Sequence, residues 1–365
     1  MMRMQAELFC KLTIAAMMTL AGCGTSNHQP VGTTEPTPET SVASAPTDPN
    51  TEQESQPAGT TDGVPAAKTR AFRLEYAALL KEIPASAKVR VWLPVPQTSA
   101  HQSVEIIAQT PAGQTTTEPK YGNQIYYVET DGGEAGDVEV STTYAIVRKE
   151  VTSGTDSGHK LNDEQRQLFL AANTKVPTDG KPLQLLTDVD LAGDNPLVLG
   201  RSLYDLVDGH VKYDKAQPGY GTGDSNWVCD SRFGNCTDFH SLFISLARSQ
   251  KLPARFEIGF PLPPERGEGK IGGYHCWALF FAEGKGWVPV DISEADKHPE
   301  MKEYYFGNLT ENRVAFSTGR DLTLEPKQAG PPLNYFVYPY VEVDGQVWPK
   351  EKIELKFSYR DQPET

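Results

Sequence analysis

Between Lys11 and Lys68 the chain has no lysine or arginine, and from Gly24 to Lys68 it has no aromatic residue. The same stretch carries Glu35, Glu39, Asp48, Glu52, Glu54 and Asp62 and is rich in Thr, Pro, Ser and Gln. A segment without large apolar side chains cannot bury enough surface to offset its ordering entropy, so no folded domain is expected there. The chain as a whole lacks positive charge: 34 Lys and Arg stand against 48 Asp and Glu, for a formal net charge of −14. That excess argues against nucleic acid as a partner. The five cysteines include no CxxC pair, the seven histidines no HxxxH pair, and no acidic loop has calcium-hand spacing. These absences argue against a zinc or calcium site, and no cofactor is expected. A cluster drawn from Cys229, Cys236, His240, His275 and Cys276 stays the one conceivable zinc set. No internal repeat is present.

The longest apolar run near the start, Leu12–Ala21, is too short for a stable transmembrane helix. Arg3 and Lys11 precede it, and Leu20-Ala21-Gly22-Cys23 closes it. Charge, apolar run, small residues and cysteine in that order resemble a bacterial lipoprotein signal. The resemblance implies removal of residues 1–22, lipidation of Cys23, and an exported protein held to the cell envelope by its lipid. Residues 23–68 are then a flexible acidic tether.

From residue 69 the pattern changes to alternation with period two. Phe72, Leu74 and Tyr76 share one face, as do Val89, Val91, Leu93 and Val95. Ile125–Val128 and Val138–Val147 are further strands. A β-sandwich-like domain is expected over 69–152, followed by an α+β domain over 153–365. In the latter, Asn162 caps one helix, and Leu199, Leu203, Leu206, Val207 and Val211 stripe a second. Pro261–Gly273 reads as a mobile loop. The end reads as strands Tyr335–Val343 and Lys352–Tyr359, with a hairpin turn at Asp344-Gly345.

The block Gly234-Asn235-Cys236-Thr237-Asp238-Phe239-His240 opens a third helix. Its apolar residues 239, 242, 243, 246 and 247 make an amphipathic stripe that ends before Pro253. Cys236 thus sits in the first helical turn, where free N–H groups and the positive dipole end favour thiolate over thiol. Downstream, His275 lies on a strand, Glu283–Gly286 is a turn, and Trp287–Asp291 is the return strand. A turn centred on Glu283 sets His275 opposite Asp291. A turn centred on Gly284 makes them diagonal neighbours on one face. A carboxylate beside an imidazole orients it and stabilises the imidazolium. His240, one turn beyond Cys236 on the same helix, is a rival base, poorly placed to serve both thiolate and leaving group.

The segments 234–260, 273–281 and 286–293, with Phe306–Leu309, Asn312–Val314 and Gly319–Asp321 beyond them, resemble the transglutaminase-like superfamily. The resemblance implies a papain-like α+β core in which the nucleophile helix packs on an antiparallel sheet. It also implies a cysteine acyl-transfer enzyme with Cys236 as nucleophile, His275 as general base and then acid, and Asp291 as orienting group. The substrate would be a peptide or protein amide, released to water or to an amine. A silent binding protein on the same fold is the alternative. Trp227, Trp277 and Trp287 are candidates for lining an acyl groove, with core packing as the other reading. With Cys236 free and Cys23 lipidated, Cys229 and Cys276 are left as a possible disulfide or as two free thiols.

Overall fold

Alternating burial begins as soon as the chain becomes describable. In the computed structural model the described residues are 67–134, 136–153, 159–187, 189–191 and 195–363. The expected leader, the lipidated Cys23 and most of the tether lie outside them. The described residues belong to one compact unit.

Six strands come first: β1 (Thr69–Leu80), β2 (Lys88–Pro94), β3 (Gln102–Thr110), β4 (Gln114–Thr117), β5 (Gln124–Asp131) and β6 (Val138–Lys149). A mixed segment follows with α1 (Asp163–Leu170), α2 (Pro196–His210), β7 (Lys212–Tyr213), α3 (Ser225–Ser231), β8 (Phe233–Gly234) and α4 (Cys236–Ser249). Then come β9 (Ala254–Pro261), β10 (Glu268–Lys270), β11 (His275–Ala282), β12 (Gly286–Val290), α5 (Ile292–Lys297) and α6 (Lys302–Tyr305). The chain closes with β13 (Arg313–Thr318), β14 (Tyr340–Val343), β15 (Gln346–Val347) and β16 (Ile353–Asp361).

Two five-stranded sheets make the sandwich, in the orders β10-β16-β1-β6-β3 and β15-β14-β2-β5-β4. Their inward faces are the alternating residues read from sequence: Phe72, Leu74 and Tyr76 of β1 and Val89 and Val91 of β2 join one core. The C-terminal strands complete this sandwich. All of β16 pairs with β1, and β14 pairs with β2. A boundary at 152/153 groups these strands with the α+β domain; hydrogen bonding groups them with the N-terminal strands. Sequence distance hides such pairing, because the two ends alternate equally well with any partner. The Asp344-Gly345 turn does form, with φ of 48° and 75°, joining β14 to β15. Nor is Pro261–Gly273 all loop: it contains β10, which extends the sandwich by pairing with β16.

The α+β core is the antiparallel sheet β12-β11-β9-β13 with α4 packed on it. Helix α4 is buried on every side from Cys236 to Arg248, so it is a central helix, enclosed more fully than its amphipathic stripe alone indicates. Its polar residues survive burial because they are hydrogen-bonded. Arg248 donates to the Ala254 and Ala171 carbonyls and to Asn173 Oδ1, and Ser245 Oγ donates to the Pro177 carbonyl. Phe239, Leu242, Phe243 and Leu246 are fully buried, each stabilising the fold by about 1.5–3 kcal/mol. No described helix is long and apolar enough to cross a membrane.

Candidate active site

The start of α4 is built by reciprocal capping. Asn235 adopts extended backbone, its side chain accepts from Thr237 N at 2.9 Å, and Asp238 Oδ2 accepts from Asn235 N at 3.0 Å. The same buried carboxylate also accepts from Gly221 N at 2.6 Å and Gly223 N at 2.9 Å. It therefore clamps the preceding glycine loop onto the helix start. Gly234 is required here, since a Cβ would lie 2.5 Å from Asp238 Cβ. Gly223 is constrained twice, by a φ of 58° and by a Cβ position 2.6 Å from Ser241 Oγ. Arg320, fully buried, holds the same loop through the Gly223 carbonyl at 3.0 Å and the Thr222 carbonyl at 3.3 Å.

Capping occupies the N–H groups of Thr237, Asp238 and Phe239. The N–H of Cys236 has no partner among the described residues. Cys236 itself is 3% exposed. Burial alone raises a thiol pKa, but the neighbouring Cys276 thiol and the His275 ring with its charge hold Cys236 well below the usual value.

Strands β11 and β12 pair Ala278 with Val290 and Phe281 with Trp287, the register of a turn centred on Gly284. The direct His275–Asp291 pairing is therefore not formed. Asp291 lies one residue past β12 and caps α5, accepting from Glu294 N at 3.3 Å. From there its Oδ2 reaches His275 Nε2 at 2.8 Å. With Nε2 committed to the carboxylate, Nδ1 is the nitrogen left for Cys236. Burial disfavours the charged ring, yet Asp291 and the Cys236 sulfur outweigh it and raise the His275 pKa to about 10. Asp291 is fully buried, which favours its neutral form. His275 and Arg313 reverse that and keep its carboxylate below the ordinary range.

Two residues beside this line were not assigned roles from sequence. Arg313, on β13, donates Nη1–H to Asp291 Oδ2 at 2.9 Å and lies 4.8 Å from the Trp277 ring centroid. It fell within a quoted segment, but nothing local says that an arginine 22 residues on returns to the carboxylate. Tyr274 Oη bonds Asn235 Nδ2 at 2.9 Å and Thr237 Oγ1 at 2.8 Å, tying β11 to the start of α4. The Asn235–Asp238 spacing was legible as a capping box and could have identified the Asp238 clamp.

His240 is placed against a role as base. Its Nε2 accepts the Ile292 N–H at 3.0 Å, which sets the proton on Nδ1. Burial pushes its pKa down to about 4. His275, Asp291 and Glu294 offer ligand atoms within 4.8 Å of one another. Those atoms already serve Arg313 and Lys297, so the trio is an ion-pair network.

Of the two readings for Cys229 and Cys276, a disulfide or two free thiols, the structure has the second: both are free. The Cys276 sulfur sits between α4 and β11, 3.8 Å from both Thr237 Oγ1 and His240 Nδ1. Cys229 is on α3, near Lys181 and Asp230. For the tryptophans, the contacts match the core-packing reading for Trp277 and leave Trp227 and Trp287 half-buried. Trp277 is fully buried, donates to Glu257 Oε2 at 2.8 Å, and packs with Val151, Leu279 and Leu309. Trp287 packs between Phe169 and Phe281 under Arg255. Trp227 is half-buried against Phe233 and beneath the glycine loop at Gly219.

A buried cysteine at a helix start, faced by a strand histidine with a carboxylate behind it, defines a transglutaminase-like α+β fold. Residues 184–292 match Transglut_core, the transglutaminase-like superfamily, so the chain carries a domain of that superfamily. An uncharacterized protein of Haemophilus influenzae is 27% identical over 300 residues, covering 71% of this chain and 81% of that protein. A solved protein of Cytophaga hutchinsonii, described as a candidate cysteine protease, is 15% identical with a TM-score of 0.48, covering 80% of this chain and 98% of that one. The periplasmic domain of TgpA from Pseudomonas aeruginosa is 14% identical with a TM-score of 0.34, covering 67% and 98%. Likenesses at that level leave the chemistry to be read from this chain's own residues.

Proposed function

We propose that the protein is a cysteine-dependent peptidase or amidase acting through an acyl-enzyme. The observation that carries this reading is the position of His275, which lowers the Cys236 thiol pKa on one side and is hydrogen-bonded to Asp291 on the other. The Cys236 thiolate attacks the amide carbonyl, and a C–S bond forms. The Cys236 N–H donates to the oxyanion. His275 Nδ1–H then protonates the leaving amine as the C–N bond breaks. A water molecule, deprotonated by the same imidazole, releases the acid and restores the thiolate. Asp291 orients the ring and stabilises its charge throughout.

An amine in place of water would make the same acyl-enzyme a transglutaminase, because both share the first half-reaction. The test is acyl-enzyme trapping at Cys236 with a peptide library, read by mass spectrometry with and without an added primary amine. Hydrolysed product in the presence of amine supports the peptidase. An amine adduct as the main product transfers the assignment to transglutaminase. No Cys236 adduct from any peptide leaves a binding protein on this fold.

Export and lipid attachment at Cys23 are part of the same proposal, supported by the order of charge, apolar run and cysteine in residues 3–23. The acidic stretch 24–68 then holds the enzyme away from the membrane surface. Mass analysis of the mature N-terminus checks this, since an unmodified Cys23 or a retained leader contradicts it.

A further inference from the structure

A second opening of about 660 Å³ lies on the face of β11 that carries Leu279, opposite the face whose Cys276, Ala278 and Phe280 join the core around α4. It sits between the catalytic sheet, the segment 97–101 that leads into β3, the end of β6 and α1. Its size is that of a small-molecule site. Trp287 and Phe169, edge to face with centroids 4.8 Å apart, form an aromatic wall beside Leu279 and Leu309.

Arg148 is the notable polar group on this wall. It is 4% exposed, and its Nε has no hydrogen-bond partner. Among the described residues it makes no ion pair and no side-chain hydrogen bond. The other buried arginines all make side-chain hydrogen bonds: Arg70 to Asp361, Arg313 to Asp291 through Nη1 although its Nε is unpartnered, Arg320 to Asn334 and loop carbonyls, Arg248 to Asn173 and carbonyls. The nearest acid on the wall is already spent. Glu257 Oε1 accepts from Arg255 at 2.6 Å and Oε2 from Trp277 at 2.8 Å. Burial and the nearby Arg313 charge lower the Arg148 pKa, but only to about 10, so it stays cationic at neutral pH. A buried unpaired guanidinium is costly, and an anion seated in the adjoining cavity removes that cost.

We propose that this cavity binds a small organic carboxylate with an apolar or aromatic body. Its carboxylate pairs with Arg148 and its body packs on Trp287 and Phe169. Among the described residues that line the cavity, Arg148 is the buried cation without an ion pair, with Lys285 exposed at the rim and Glu257 engaged, which suits a single negative charge. The carboxylate can belong to a peptide C-terminus or to a fatty acid, and the two differ in the body they present.

The test is calorimetric titration of the intact protein, with Cys236 carbamidomethylated so that the active site takes no part. The probes are N-acetylphenylalanine, its C-terminal amide, and octanoate. Binding of either acid is expected, with the amide at least tenfold weaker than N-acetylphenylalanine; the preferred acid identifies the source. Arg148→Gln should weaken binding at least tenfold. Because that variant could fold poorly, Ala100→Trp, at an exposed position on the cavity rim, provides an independent block and should weaken binding similarly. The proposal is overturned if neither acid binds at millimolar concentration. Equal binding of acid and amide, or undiminished binding by folded Arg148→Gln, overturns it too.

Discussion

Asp291 Oδ2 takes two charge-assisted hydrogen bonds, from His275 Nε2 at 2.8 Å and from Arg313 Nη1 at 2.9 Å. One fully buried carboxylate oxygen thus serves two cations from different strands, and each secures the other's geometry. Arg313→Met removes one of them and leaves the rest of the network inside the protein. Breaking a buried pair in this way costs about 3–5 kcal/mol. Urea unfolding should show a loss of that size. A loss under 1 kcal/mol would mean that Arg313 is not needed to hold Asp291.

The two histidines should separate cleanly. His275→Ala removes the charged group beside the Cys236 thiol, which together with Cys276 lowers its pKa, so iodoacetamide labelling at pH 6 should fall at least tenfold. His240→Ala should leave labelling within a few-fold of the wild type. It also leaves the Ile292 N–H without its acceptor, at a cost of about 1–3 kcal/mol. Rapid labelling in His275→Ala with slow labelling in His240→Ala would reverse the assignment of the base.

The pH dependence follows from two shifts of opposite sign. The Cys236 pKa is lowered and that of His275 is raised to about 10. The thiolate–imidazolium pair therefore exists above the first and below the second. Peptide-acylation rate should rise in the acid range, stay level across neutrality and fall as pH approaches 10. Stability follows the same signs. The contribution of charged His275 is complete below the unfolded histidine pKa and is lost as pH rises toward 10. That of ionised Asp291 is present above the unfolded carboxyl pKa and is lost only as pH falls toward its lower folded value. An alkylation profile for Cys236 centred at the ordinary thiol value near 8.5 would contradict the ion pair.

Asp238 clamps three backbone N–H groups, from Gly221, Gly223 and Asn235. Asp238→Ala should release the glycine loop and expose the start of α4 to exchange. We expect a stability loss of about 3 kcal/mol, from three donors at about 1 kcal/mol each. Hydrogen exchange at Gly221 and Gly223 should quicken well before the sandwich strands do. Unchanged protection at those amides would show that the loop is held without the carboxylate.

Non-reducing peptide mapping of the intact protein should recover the peptides containing Cys229 and Cys276 as separate alkylated species. A linked pair would contradict the free thiols seen here. The Cys276 thiol is pushed well above the ordinary value by burial and by the adjacent Cys236 sulfur. It should label far more slowly than Cys236 at neutral pH.

What was legible in the sequence was local. Period-two alternation placed β1, β2, β5 and β6. Asn162 with acidic residues behind it started α1. The 239/242/243/246/247 stripe drew α4 with Cys236 at its head. Each of these depends on residues a few positions apart, where backbone geometry alone dictates neighbours. The hairpin arithmetic brought His275 near Asp291 but left two registers open, and the turn chose the one in which Asp291 passes the strand end to cap α5. What the tertiary structure decided were contacts without any sequence period. These include β16 returning to β1, Arg313 reaching Asp291, Tyr274 bridging to Thr237, and α4 enclosed on all sides. They also include Cys276 turned toward Cys236 rather than Cys229. A chain can be read for which face of an element is apolar, but which partner covers that face depends on how all elements pack at once. The position of Cys236 could therefore be read from a dozen residues, while the charges that set its protonation had to be gathered from separate segments of the fold.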